Sequence, residues 1–179
     1  MGPLPTGYRL RGYQPGDDEE WARLLQANGE LGEWDVERVR GELRGPLVRQ
    51  GQRFVVWGAQ IVATAGVYQR ERDGAPALEI GWVAAHPEHR GRRLGELVTA
   101  AAVGAALCLP PQPIYLLTDD HRLPALKVYL RLGFTPDLSH PSCAERWRLI
   151  LEHLGPQFAA YRGLLLGGAG GAGSEGARG

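Results

Sequence analysis

A mixed α/β fold is what this sequence predicts: a central mixed sheet flanked by helices, in the order β-α-α-β-β-β-α-β-α-β. Three observations carry it. Short runs of alternating or β-branched residues recur between glycine and proline punctuation. Segments with apolar residues at helical spacing separate those runs. The second half then alternates strand and helix, which predicts parallel strands joined by right-handed crossovers.

Each element has its own signal. Tyr8–Tyr13 alternates polar and apolar residues as a short strand does. Asp17 precedes Glu20 by three residues, a relative of the capping box, and Trp21, Leu24 and Leu25 follow at helical spacing until Asn28-Gly29. Asp35 caps a second helical segment with Val36, Val39, Leu43 and Leu47 on one face. Strands over Phe54–Trp57 and Gln60–Gln69 flank a tight turn at Gly58-Ala59, and Ala77–Ala85 is a fourth strand stopped by His86-Pro87. Leu94, Leu97, Val98, Ala101, Ala105 and Leu107 then keep near-helical spacing until Pro110-Pro111. Ile114–Thr118 reads as a short buried strand. Leu123–Leu132 reads as a helix that tolerates Pro124 in its first turn and takes Gly133 at its C′ position. Phe134-Thr135-Pro136 can add one more strand, and Ser142 with Glu145 makes a capping box for a helix over Cys143–Leu154.

The chain has 179 residues, with 44% hydrophobic and 22% charged, which is ordinary for a globular protein and predicts one domain. That domain is expected over residues 1–166. Residues 167–179, GGAGGAGSEGARG, hold seven glycines and no large apolar side chain, and are expected to be a disordered tail. Twenty basic residues balance twenty acidic ones, so the basic excess of a nucleic-acid binder is missing. Nineteen of the twenty basic residues are arginine; the lysine is Lys127. Cys108 and Cys143 have no metal or redox spacing and are expected to be free thiols of a cytoplasmic protein, Cys108 packed in its helix. The stretch Val98–Pro111 is too short to cross a membrane, and no secretory leader is visible at the N-terminus. His86 and His89 flank Pro87 without metal-ligand spacing, so no metal site is expected. Nothing in the chain decides whether it forms a homo-oligomer.

The informative stretch runs from Val83 to Val98 and reads VAAHPEHRGRRLGELV. A strand enters a glycine- and arginine-rich turn, and the turn opens a long helix. Backbone N–H groups at a helix N-terminus, with the positive end of the helix dipole, bind anions. Arg90, Arg92 and Arg93 add forked donors for phosphate, and Gly91 and Gly95 let the backbone approach a pyrophosphate. The strings GxxxxGK[ST] and GxGxxG of other phosphate loops are absent.

The string Arg90-Gly91-Arg92-Arg93-Leu94-Gly95 resembles motif A of the GNAT superfamily of N-acetyltransferases, R/Q-x-x-G-x-G/A, which holds the acyl-CoA pyrophosphate. Downstream, Arg122, Ala125, Tyr129, Gly133, Phe134 and Pro136 resemble motif B, N-x-x-A-x-x-x-Y-x-x-x-G-F-x-P. The resemblance covers roughly Tyr8–Pro136. Arg93 departs from the middle glycine of motif A, and Arg122 from the asparagine of motif B. The helix over Ser142–Leu154 stands where the family usually closes its sheet with a hairpin.

The resemblance implies acetyl-CoA as co-substrate and acetyl transfer to a primary amine by direct attack, the acceptor being a small molecule or a peptide. It implies that main-chain groups of Val83, Ala84 and Ala85 bind the pantetheine arm and the thioester oxygen. It makes Tyr129 the general acid toward the departing thiolate. Strand alternation puts Glu79 on the face of Gly81 and Val83 and makes it the favoured base. Asp119 and Asp120 are rival bases that could equally cap the helix at Leu123. A second expectation is a catalytically silent acyl-CoA-binding module in a sensing or scaffold role. A third is a nucleotide-phosphate binder using the arginine-rich turn. Trp34 is a candidate for the acceptor pocket.

Overall fold

The computed structural model describes residues 2–48 and 50–167. Gly167 ends the last helix, and the rest of the expected tail, residues 168–179, lies outside the described residues. The chain divides into two compact units, Met1–Leu117 and Thr118–Gly179.

The first unit is a five-stranded sheet in sequential order: β1 (Tyr8–Gly12), β2 (Arg53–Trp57), β3 (Gln60–Arg72), β4 (Ala75–Ala85) and β5 (Ile114–Tyr115). The first four strands are antiparallel, and β5 lies parallel to β4. Trp57 pairs with Gln60, so Gly58 and Ala59 form the two-residue turn that the sequence announced. From Ile61 to Tyr68 every residue of β3 is buried, which means that both faces of the sheet are covered.

Two helices, α1 (Asp18–Asn28) and α2 (Val36–Arg44), supply Trp21, Leu24, Leu25 and Val39 to a cluster with Phe54, Val56, Ile61 and Ala84. Leu43 and Leu47 pack on it too, although α2 ends at Arg44 and Leu47 instead bridges to Tyr68 of β3. Helix α3 (Leu94–Leu107) packs on β2, β3 and β4 through Leu94, Leu97, Val98, Thr99, Ala102 and Ala106. Its last predicted core residue, Leu107, is 70% exposed, and Cys108 beside it is exposed rather than packed. The helix has by then turned that face away from the sheet.

Asp35 caps α2 as expected, accepting from the Arg38 N–H at 2.8 Å. The other two predicted caps do not form. Asp17 is drawn off by a bidentate pair with Arg11 at 2.6 and 2.8 Å and by the Gln14 N–H. In the second unit, Ser142 bonds His140 Nδ1, and Glu145 bonds Arg148. Asp and Glu beside arginine find a stronger partner in the guanidinium than in a helix end.

The second unit contains α4 (Leu123–Arg131), α5 (Cys143–Leu154), a 3₁₀ segment (Pro156–Tyr161) and α6 (Arg162–Gly167). Its core is Leu126, Leu130, Ile150, Leu151, Leu154 and Phe158. The Tyr161 hydroxyl donates to the Leu130 carbonyl at 2.6 Å. The strand expected at Phe134-Thr135-Pro136 is absent, for a local reason. The Phe134 N–H bonds Tyr129 O, and the Gly133 N–H bonds Leu130 O, with Gly133 at φ +92°. These two bonds form a Schellman cap, so the Phe134 donor is spent on the helix, and Pro136 has none.

Candidate functional site

Strand β4 is irregular where chemistry was expected. Gly66 pairs with Gly81 but Thr64 pairs with Ala84, so β4 carries one extra residue, and Trp82 sits at φ +49°. This is a β-bulge, and it breaks simple alternation. Glu79 shares the face of Gly81 as predicted, since a Cβ on Gly81 would stand 3.5 Å from Glu79 Oε1. Val83 does not follow, because the bulge brings Gly81 and Ala84 into phase instead. The β4–β5 ladder pairs only Leu78 with Ile114 and Glu79 with Tyr115. Among the described residues, β4 beyond Glu79 has a strand neighbour on its β3 side alone, so Val83, Ala84 and Ala85 carry main-chain groups on an edge without a paired strand.

After Ala85 the chain makes the 3₁₀ turn Pro87–His89 and enters α3. His89 is buried and shares a 2.8 Å hydrogen bond with the Tyr8 hydroxyl, tying the turn to β1. Burial holds its imidazole below its ordinary range, with Arg92 and His86 pushing the same way. Arg90, Arg92 and Arg93 are exposed. Arg92 donates to the Glu88 carbonyl at 2.8 Å, and Arg93 forms a fork on Glu96 at 3.2 and 2.5 Å. Gly91 adopts φ +78°, and a Cβ on Gly91 or Gly95 would meet nothing within 4 Å. The first bond of the α3 ladder is Leu97 N–H to Arg93 O, so the N–H groups of Leu94 and Gly95 precede it. Open backbone donors, a helix dipole and three guanidinium groups suit a pyrophosphate. Arg93 takes the helix-entry position in the left-handed region, φ +58°, where a glycine would be unstrained.

Glu79 is not free. Arg70 Nε donates to its Oε2 at 2.8 Å, which leaves Oε1 on the Gly81 side. Beside it, the fully buried Tyr68 ring occupies the space that side chains on Gly66 and Gly81 would need. Sequence reasoning missed Arg70, Tyr68 and Gln52. A signal was available in two glycines inside strands, which mark a close approach of another group. Trp34, a candidate for the acceptor pocket, is buried edge-on to Trp82 at 4.5 Å, and Arg38 lies 4.1 Å from its ring centre.

In the second unit, Tyr129 of α4 is 5% exposed, its ring in a T-shaped arrangement with that of Phe134. Burial raises its phenol above the ordinary range, against a smaller opposing effect of Arg122, so it keeps its proton at neutral pH. Asp120 is engaged through both oxygens by Arg146 at 2.7 and 2.8 Å, and the guanidinium holds its carboxyl below the usual range. Neither Asp119 nor Asp120 caps α4, whose N-cap is Arg122. Among the described residues there is no cluster of His, Cys, Asp and Glu fit for a metal ion, and no helix long and apolar enough to cross a membrane.

Residues 16–134 match the family model described as Acetyltransferase (GNAT) family. A mycothiol acetyltransferase of Thermobispora bispora is 30% identical over 141 residues, which cover 74% of this chain and 48% of that protein. The chain thus spans about half the length of the curated relatives it matches. A ribosomal-protein-alanine N-acetyltransferase from Brucella melitensis biovar Abortus 2308 superposes with a TM-score of 0.60 at 16% identity, covering 75% of this chain and 96% of that one. A GNAT family acetyltransferase from Brucella melitensis in complex with acetyl-CoA gives 0.59 at 18% identity, covering 72% and 82%. At such identities the likeness is one of fold.

Proposed function

This chain belongs to the GNAT family of acetyltransferases, and from that membership we propose that it moves an acetyl group from acetyl-CoA to a primary amine of a small molecule or peptide. One observation supports the reading above the others: the turn from Arg90 to Gly95 offers open backbone and three guanidinium groups where β4 feeds α3. In this reading Arg90, Gly91, Arg92, Arg93, Leu94 and Gly95 hold the pyrophosphate. The open edge of Val83, Ala84 and Ala85 takes the pantetheine amides and the thioester oxygen, an interaction of the kind worth about 10²–10³ in rate.

An alkyl amine has a pKa near ~10.4 and must shed a proton before it attacks. Glu79 receives that proton through Oε1, the oxygen that Arg70 leaves on the Gly81 side. Asp120 is the poorer base because both of its oxygens are bound to Arg146. The amine nitrogen bonds to the acetyl carbon, the carbon–sulfur bond breaks, and Tyr129 gives its phenolic proton to the leaving thiolate.

Calorimetric titration with acetyl-CoA, with ATP as control, tests the binding. One-to-one micromolar binding of acetyl-CoA alone is expected; no binding, or equal binding of ATP, overturns the reading. An amine screen follows, in which Tyr129→Phe and Glu79→Gln each lower kcat by about 10²-fold or more. The Arg70–Glu79 ion pair favours one second reading, a catalytically silent acyl-CoA-binding module. Binding of acetyl-CoA without acetylation of any amine, and without effect of Tyr129→Phe, would select it.

A further inference from the structure

The turn proposed above to hold the pyrophosphate hangs on one side chain. Between Ala84 at the end of β4 and Leu94 at the start of α3, His89 alone is buried, while Arg90, Gly91, Arg92 and Arg93 are exposed. The last main-chain tie to the sheet is His86 N–H to Val62 O at 2.9 Å. After it, His89 N–H to His86 O at 2.9 Å and Arg90 N–H to Pro87 O at 3.3 Å close the turn only on itself.

The His89 side chain supplies what the backbone lacks. Its Nδ1 shares a 2.8 Å hydrogen bond with the hydroxyl of Tyr8, 81 residues earlier in the edge strand β1. The ring centres of Tyr8, Trp57 and His86 lie 5.7, 5.5 and 5.7 Å from its own. Tyr8 and Trp57 are partners in the β1–β2 ladder, so the groups that receive the imidazole are fixed by strand pairing. The charged and titratable groups that act on it, Arg92, His86 and Glu88, all belong to the turn, and burial keeps the ring uncharged at neutral pH. A loop with unbonded donors loses backbone freedom when an anion orders it, and a scaffold that orders it beforehand removes that cost from binding.

We infer that Tyr8, through its hydrogen bond to His89, is a positioning residue for the phosphate turn, holding the backbone from Arg90 to Gly95 in its receiving shape before the pyrophosphate arrives. The inference rests on the acetyl-CoA reading of that turn and deepens it. Affinity then scales with the fraction of molecules whose turn is already in place.

The test uses the full-length chain and three measurements: acetyl-CoA affinity by calorimetry, S-acetylpantetheine affinity by displacement of acetyl-CoA, and amide exchange at His89 and Arg90 by NMR. Tyr8→Phe keeps the ring and removes the hydroxyl. It is expected to weaken acetyl-CoA about 5-fold, the weight of one net hydrogen bond. S-acetylpantetheine, which has no pyrophosphate, should bind as it does to wild type. Exchange should quicken at His89 and Arg90 but not at Leu24 and Leu25 of α1. His89→Asn sets an amide where Nδ1 stands and should bind acetyl-CoA more tightly than His89→Leu, which restores only apolar bulk. A role in packing alone gives the reverse order. Unchanged exchange at the turn in Tyr8→Phe, equal weakening of both ligands, or His89→Leu matching His89→Asn overturns the inference. Failure of wild type to bind acetyl-CoA, with exchange at the turn still quickened by Tyr8→Phe, would instead overturn the acetyl-CoA reading and leave the Tyr8–His89 anchor standing.

Discussion

Two halves of one sheet face are built from opposite materials. Toward β1, the face carries Phe54, Val56 and Ile61 against Trp21, Leu24 and Leu25, each at most 1% exposed and, apart from the Trp21 indole nitrogen, with no buried polar atom left alone. Around Gly66 and Gly81, the same face carries Gln52, Tyr68 and Glu79 beside two bare glycines, with the oxygens of Gln52 and Tyr68 unpartnered. The first half gains stability from every atom it buries. The second buries atoms at a loss. A protein only marginally stable tolerates such a loss because the apolar half more than offsets it.

Substitutions separate the halves by size and sign. Phe54→Ala is expected to cost the most, about 3–5 kcal/mol in urea denaturation, because a buried ring against Trp21 leaves a cavity. Gly66→Ala is expected to cost about 1–3 kcal/mol in the same assay, since the new methyl would stand 2.6 Å from Gln52 Oε1. Tyr68→Phe has the opposite sign. Its removal of an unpartnered hydroxyl leaves stability unchanged or raises it by about 1 kcal/mol, and a clear loss there would erase the distinction between the halves.

Two smaller effects lie outside both halves and serve as controls. The imidazole of an unfolded chain titrates near ~6.5, and burial sets folded His89 lower. Between the two values the unfolded state binds more protons, so stability is complete above about pH 6.5 and falls as acid carries the pH down through the window. Melting curves from pH 8 to pH 5 should show that fall, and His89→Gln should flatten it. Arg93→Gly should raise the Tm by roughly 1–2 °C, because glycine relieves the left-handed entry to α3 and loses only a surface ion pair with Glu96.

Much of this was legible beforehand. The boundaries of α3 and α5 follow from the spacing of Leu94, Leu97 and Val98 and from the run Cys143–Leu154, since the side chains that define each helix lie within it. The glycine- and arginine-rich turn that opens α3 was readable for the same reason. What escaped depends on partners distant in sequence. The bulge at Trp82 exists because β3 and β4 differ by one residue between two registers, which neither strand announces alone. Asp17 and Ser142 look like caps until Arg11 and His140 are seen to claim them. Glu79 was found by alternation, but Arg70, nine residues earlier, meets it only across the hairpin. The oxygens of Gln52 and Tyr68 were invisible as a pair because Gly66, the residue that lets them converge, contributes no side chain.

That trough of glycines constrains the order in which this protein can change. With Tyr68 in place, any side chain at Gly66 collides with it, and one at Gly81 crowds its ring at 3.1 Å. A shorter residue at position 68 would open space over Gly81, whereas Gln52 Oε1 at 2.6 Å would still close the Gly66 position. Drift here is therefore directional: the tyrosine must shrink before Gly81 can acquire a side chain, and Gly66 can follow only if Gln52 gives way as well. Gly81→Ala should be harmful alone yet tolerated beside Tyr68→Ala, so two positions that look independent in the sequence are inherited as one unit.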